Sequence, residues 1–291
     1  MSDISDATAK PEVLDIQHDT DPARDHGPSR RIPHLGHTVL FFSLAAFSLT
    51  VCLSVIWSLF HVHTEEAAAA HPGVSLAAEA LSYVLTLASA AWLFTRIWQL
   101  PFLRGIHWNA LAARRRWFWI LPGGVLLSAC TQAAMHFIPQ PSSSPINDIM
   151  MSPLGAWGTA AFGTLLAPFA EEIAFRGFLL PSLATAYDWL SLDRTPAGLQ
   201  RWEASSGHSR SALIFAAIFS SVPFALLHAQ QVSHAWGIVG VLYVVSLVLS
   251  FVRIKTHSVA CSTLLHSTYN FTIFVVIFLS SGGFRHLSQL K

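Results

Sequence analysis

Charge is what this sequence has least of: Asp, Glu, Lys and Arg make up 11% of its 291 residues, against roughly a quarter in an ordinary soluble domain. The 17 basic and 16 acidic side chains nearly cancel, so no global field gathers a polyanion, and no nucleic-acid partner is expected. Cysteine is equally sparse. Cys52, Cys130 and Cys261 fall in separate apolar runs with no CxxC spacing, which excludes a disulfide framework and a thiolate metal site and leaves them as small packing residues. HExxH is missing, and so is a recognisable serine or cysteine nucleophile motif; Ser262 and Ser267 read as helix-packing residues. No internal repeat is visible, and inverted repeats are the mark of many secondary carriers.

What is abundant is hydrophobic surface, 53% of the residues. A helix needs about 20 apolar residues to cross the hydrocarbon core, and seven segments qualify: Thr38 to Phe60, Val74 to Leu100, Trp117 to Ile138, Leu154 to Leu183, Ser211 to Ala229, Trp236 to Val252 and Ser258 to Leu279. The fold class expected is therefore all-α, a polytopic transmembrane helix bundle of about seven to eight spans. The first span begins too late and runs too long for a secretory signal peptide, so it is expected to stay attached. Residues 1–36 mix Asp, Pro, His and Arg with few large apolar groups and are expected to be a disordered cytoplasmic tail. Residues 37–153 are then N-terminal transmembrane helices, 154–280 a second transmembrane core and 281–291 a C-terminal tail.

Basic residues orient the bundle. With Lys10, Arg24, Arg30 and Arg31 in the cytoplasm, Arg104, Arg114, Arg115, Arg116, Arg194, Arg201, Arg210, Arg253 and Lys255 all fall on the same side, while the opposite linkers hold no Lys or Arg. Only Arg285 and Lys291 dissent. By the positive-inside rule this predicts a multi-pass protein of the cell inner (plasma) membrane with a cytoplasmic N-terminus. The longest linker, 184–210, is polar, with a short surface helix expected over Leu199 to Ala204.

One stretch breaks the apolar pattern, PFAEEIAFRGFLLP at residues 168–181. A charge at the bilayer centre costs at least about 2.5–3.5 kcal/mol, so three ionisable groups within six residues need compensation. Glu172 and Arg176, four apart in the favourable order, can pair along one helix face. Glu171, rotated by about 100°, is left over near Pro168, where a kink is expected. Such a carboxylate can move protons, hold a cation or activate water; two carboxylates sharing one arginine to fix helix registry is the structural alternative. His228 ends the fifth span in PFALLHAQQ, and His266 and Asn270 share one helical face in CSTLLHSTYNF. A carboxylate and an imidazole can take a proton from water, while an imidazole and a carboxamide can donate to the oxyanion formed on a peptide carbonyl.

The three segments, Glu171-Glu172 to Arg176, Phe224 to His228 and His266 to Asn270, resemble the EExxxR, FxxxH and HxxxN motifs of the CPBP family, which groups CAAX prenyl proteases of the Ras-converting type with bacteriocin-processing enzymes and is also called the ABI family. The resemblance covers residues 154 to 280. It implies an intramembrane endopeptidase acting on a membrane-associated peptide or protein substrate, possibly a lipidated one, within the lipid bilayer. Glu171 and His228 would activate water, His266 and Asn270 would hold the oxyanion, and Glu172 with Arg176 would be a supporting ion pair. Phe224 would be a wall of the cavity. The family has been described both as metalloproteases and as glutamate proteases; Zn²⁺ held by Glu171, His228 and His266 is the metal alternative, and metal-free glutamate catalysis is the reading adopted. The rival functions are a proton-coupled membrane transporter, for which Glu79 in the second span would be a further relay acid, and a non-catalytic scaffold or immunity factor. His234 has no assigned role.

Overall fold

The computed structural model describes residues 31–62, 64, 72–141, 144–205 and 207–287. The tail expected to be disordered lies outside them up to residue 30, as does Lys291. Every regular element among the described residues is helical. Six helices are long and apolar enough to cross a membrane: α1 (Leu35–Leu59), α2 (Pro72–Trp98), α3 (Ala110–Met135), and, after a composite helix α4 over residues 153–190 and a short α5 (Pro196–Ala204), α6 (Arg210–Leu227), α7 (Trp236–Thr256) and α8 (Val259–Ser280). With α4 they account for the seven predicted segments, and no eighth span occurs among the described residues.

Two differences from the sequence expectation matter. Helix α3 starts at Ala110, capped by the Asn109 side chain, so Arg114, Arg115 and Arg116 lie within its opening turns rather than in a linker. Helix α7 runs on to Thr256, and Arg253, expected as a solvated linker charge, is 7% exposed inside the bundle. The linker helix is present, beginning at Pro196 behind a Thr195 cap. It is tied to the chain's other end by Arg31, which donates to the carbonyls of Gly207 (2.9 Å), Trp202 (3.3 Å) and Ser205 and lies 3.6 Å over the Trp202 ring.

The helices join as membrane helices do, through small and hydroxylated residues. Thr38 of α1 and Ser182 of α4 share a 2.6 Å hydrogen bond, and Thr131 of α3 meets the Tyr269 hydroxyl of α8 at 3.4 Å. At Gly124 the backbones of α3 and α8 are so close that an added Cβ would stand 2.7 Å from Thr268 Cβ and 3.0 Å from the Leu265 carbonyl. A second cohesive element is aromatic: Phe41, Phe94, Trp98 and Phe178 lie with ring centroids 4.4–5.7 Å apart in successive pairs. The outward faces carry Val39, Phe47, Leu81, Trp92, Leu126 and Phe251, all exposed, an apolar exterior suited to lipid rather than water.

Candidate active site

Helix α4 carries the charges, and it is not a uniform α-helix. Its order is Pro153–Ala161, a π segment Phe162–Leu166, Ala167–Glu172, a second π segment Ile173–Leu179 and then Leu180–Leu190. The segments close with the wide i to i−5 bond, Ala167 N–H to Phe162 O and Leu180 N–H to Phe175 O. Each ends within two residues of a proline, Pro168 or Pro181. A proline has no N–H for the carbonyl four residues back and its ring crowds that carbonyl; widening the turn relieves both. Pro168 itself lies in the α segment between the two wide turns, with Leu166 and Ile173 on either side of that segment in the α region. Single-turn π segments inside α-helices gather at functional sites.

Between the wide turns lies a closed charge network. Arg176 Nη1 donates to Glu172 Oε1 at 2.9 Å with both side chains fully buried. The second terminal nitrogen of Arg176 donates to Ser246 O (2.8 Å) and Ser246 Oγ (2.7 Å) on α7. Glu172 Oε1 also meets His266 Nδ1 of α8 at 3.1 Å. A carboxylate only accepts, so Nδ1 carries the proton there and Nε2 is turned to the other side. Glu172 and Arg176 thus join α4, α7 and α8, the pairing expected of them.

Glu171, one residue earlier and 16% exposed, faces two imidazoles: its Oε1 stands 3.9 Å from His228 Nε2, and its Oε2 stands 3.9 Å from His266 Nε2. His228 lies at the C-terminal end of α6, where its Nδ1 meets the Phe224 carbonyl at 2.8 Å. The same argument places that proton on Nδ1 and leaves Nε2 toward Glu171. A separation of 3.9 Å is too long for a direct hydrogen bond and short enough for one water molecule to touch both atoms. Asn270, one turn beyond His266 on α8, donates to the Gly163 carbonyl at 2.6 Å, inside the first π segment; one of its two N–H donors is engaged there. Of the sequence-predicted residues, Glu171, Glu172, Arg176, His228 and His266 form one contiguous cluster. His234 does not join it: it is exposed in the turn after α6, with its ring 6.2 Å from Trp236.

Phe224 is more than a wall. It is 1% exposed, and its ring lies 5.0 Å from His228, 5.9 Å from His266 and 5.2 Å from Phe175, with the Arg176 guanidinium 4.7 Å away. It spaces both imidazoles. Ser246 and Gly163 were not foreseen. Ser246 is a small polar residue in an apolar run, a weak signal; Gly163 acts through a carbonyl, which every residue has. Glu79 and Tyr83, one turn apart on α2, approach from the fourth side: Glu79 lies within electrostatic reach of His228 and of Glu171, and the Tyr83 ring is 5.4 Å from Phe162.

A carboxylate and two imidazoles raise the question of a metal. Both imidazoles are oriented through Nδ1 as metal-bound histidines are, and Glu171, His228 and His266 are the residues that would hold an ion there as a Lewis acid for a bound water.

Residues 152–272 match the family model for the Rce1-like type II CAAX prenyl endopeptidases. Neither a curated protein nor a solved structure gives a significant match. The matched segment contains all six site residues, from Glu171 to Asn270. The helical core that builds this site, in a multi-pass integral membrane protein, is thus similar to the Rce1-like type II CAAX prenyl endopeptidases over less than half of the chain.

Proposed function

We propose that this chain is an intramembrane endopeptidase of the glutamate type, cleaving a membrane-associated, prenylated CAAX-type peptide or protein with Glu171 as general base. The observation that carries the reading is the position of Glu171 between His228 Nε2 and His266 Nε2, 3.9 Å from each. A water touching Glu171 and His228 gives a proton to the Glu171 carboxylate as its oxygen adds to the peptide carbonyl carbon. The tetrahedral oxyanion accepts from the N–H of Asn270 that Gly163 leaves free and, in its doubly protonated form, from His266 Nε2–H, with Glu172 holding the Nδ1–H. The C–N bond then breaks. Glu171 passes its proton to the departing amine, so the products are a carboxylic acid and an amine, with no covalent enzyme intermediate.

The other groups keep this geometry. Arg176 balances Glu172, so the second carboxylate does not compete for the proton, and Ser246 fixes Arg176. The test is cleavage of a farnesylated peptide ending in a CAAX sequence by purified protein in detergent. Glu171→Gln and His228→Ala abolish cleavage while the melting profile stays that of the parent. Activity persisting in both variants rejects the assignment. Chelator treatment separates the chemistries: activity unaffected by chelation fits the metal-free route, and inhibition reversed by Zn²⁺ overturns it.

A further inference from the structure

Helix α1 opens with two imidazoles three residues apart, His34 and His37. At that spacing they meet on one face of the first turn, and their rings stack with centroids 3.7 Å apart and planes 28° from parallel. The stack is fixed from three sides. The His34 ring folds over Gly36, where an added Cβ would stand 3.1 Å from His34 Cε1. The backbone N–H of His34 donates to His37 Nδ1 at 3.3 Å, so the neutral imidazole carries its proton on Nε2. The Trp98 indole meets the His37 ring edge to face, with centroids 5.6 Å apart and its Nε1 3.4 Å from both ring nitrogens. An N–H equidistant from both nitrogens lies over the ring face and claims neither edge. His37 Nε2–H is left to donate in the ring plane.

Both imidazoles border a cavity of about 350 Å³, whose other walls are Arg31, Ile32, Ile97 and Trp98. Small-molecule pockets begin at about 300 Å³. Arg31 brings the charge. Its guanidinium is tied to three carbonyls of the 202–207 stretch and stacks on Trp202, and no carboxylate bonds it among the described residues. Asp188, the acid in its electrostatic range, accepts instead from the Ser209 hydroxyl at 2.6 Å and meets His208 Nδ1 at 3.2 Å. Two imidazoles and an uncancelled guanidinium, with no acid in the wall, suit an oxyanion. The location narrows its source. The cavity lies between the start of α1 and the end of α2, where two spans finish and Arg96 and Arg104 are exposed close by along the chain. Leu35, Val39 and Ile97 continue from it as exposed apolar surface. Arg96 also stacks on the exposed Trp92 at 4.1 Å, and tryptophan and basic residues gather at headgroup level.

We infer that this cavity seats the phosphate of an anionic phospholipid, with the His34 and His37 imidazoles as donors and Arg31 as the counter-charge. An oxyanion that carries apolar chains meets both the polar wall and the exposed Leu35, Val39 and Ile97 beside it. Basic residues at the end of a span favour lipids of net negative charge. The lipid would also steady Arg31, which already joins the start of α1 to the linker helix α5 through Trp202. Occupancy therefore bears on how firmly the 192–209 linker is held, and it stands apart from the endopeptidase reading.

The test takes the full-length protein, stripped of lipid in a neutral detergent, and adds phosphatidylglycerol or phosphatidylcholine in mixed micelles. Diethyl pyrocarbonate labels accessible imidazoles, and mass spectrometry of the peptides reads each site. Phosphatidylglycerol at about ten times its Kd is expected to slow labelling of His34 and His37 about 10-fold, with phosphatidylcholine much less effective and the exposed His257 unchanged by either. By native mass spectrometry the first phosphatidylglycerol should bind about 10- to 100-fold more tightly than phosphatidylcholine, the range for hydrogen bonds to a charged group. The double variant His34→Ala, His37→Ala removes most of that preference, and Arg104→Gln, an exposed cation outside the cavity, leaves it in place. Should the double variant fail to fold, labelling of the parent protein decides alone. Equal protection by the two lipids, no protection of His34 and His37, or a preference lost equally in Arg104→Gln overturns the proposal. So does equal protection by inorganic phosphate at the same concentration, which would assign the cavity to a soluble ion.

Discussion

Replacing Arg176 by methionine removes the cation on which the charge network turns. The side chain is fully buried and loses 2.7–2.9 Å contacts with Ser246 Oγ, Ser246 O and Glu172 Oε1. Glu172, also fully buried, would keep His266 Nδ1 at 3.1 Å as its remaining partner. Breaking a buried ion pair from one side costs about 3–5 kcal/mol, because an uncompensated charge stays behind. The double variant Glu172→Gln, Arg176→Met removes both charges, and exchanging a whole buried pair for neutral groups of similar volume is often nearly neutral. The double variant is therefore expected to lose less than Arg176→Met alone, with a coupling of about 2–3 kcal/mol between the two sites. Unfolding in mixed micelles, titrated with denaturing detergent and followed by tryptophan fluorescence, measures the four corners of the cycle. Cleavage should be lost in all three variants, since each alters the support of His266. Additive losses in the cycle, or a double variant less stable than either single one, would refute the view that Glu172 and Arg176 neutralise each other.

Gly124→Ala is expected to cost about 1–3 kcal/mol by overpacking and to lower activity by moving α8, because its Cβ would meet the Leu265 backbone at 3.0 Å. Gly240→Ala, with nothing within 4 Å of the added Cβ, should change stability by less than about 1 kcal/mol; the same unfolding titration compares them. Asn270→Ala removes an oxyanion donor and should reduce kcat by about 10²–10³-fold with KM little changed; a rise in KM alone would argue against that role. Arg31→Ala removes three carbonyl contacts and the stacking on Trp202, so limited proteolysis should cut within residues 192–209 faster than in the parent protein, with the cleavage sites read by mass spectrometry.

The helices were legible because lipid and small hydroxylated seams leave long apolar runs no other outcome, and the ion pair because Glu172 and Arg176 are four apart in a setting that punishes an unpaired charge. The gathering of Glu171, His228 and His266 followed from the same pressure acting on three spans. The wide turns of α4 were not legible: they answer to Pro168 and Pro181 together with the packing around Glu172, and no propensity specifies them. Ser246 escaped because serine in a membrane helix serves many contacts, and half of its service to Arg176 comes from its backbone. Arg253 was misplaced because an arginine one residue past an apolar run looks like a loop charge; continuation of α7 to Thr256 puts it indoors.

The two π segments set an angular datum for the acid. A wide turn holds one residue more than an α turn over the same rise, and one residue is about 100° of azimuth. Deleting a single residue within 162–166 would let that turn close as ordinary helix with Glu171 still in phase with His228 and His266. The same deletion in an ordinary turn between that segment and Glu171 would swing the acid by about 100°. Chains that keep all the site residues but differ in length by one position within the wide turn could then keep the acid in place by trading that turn for an ordinary one.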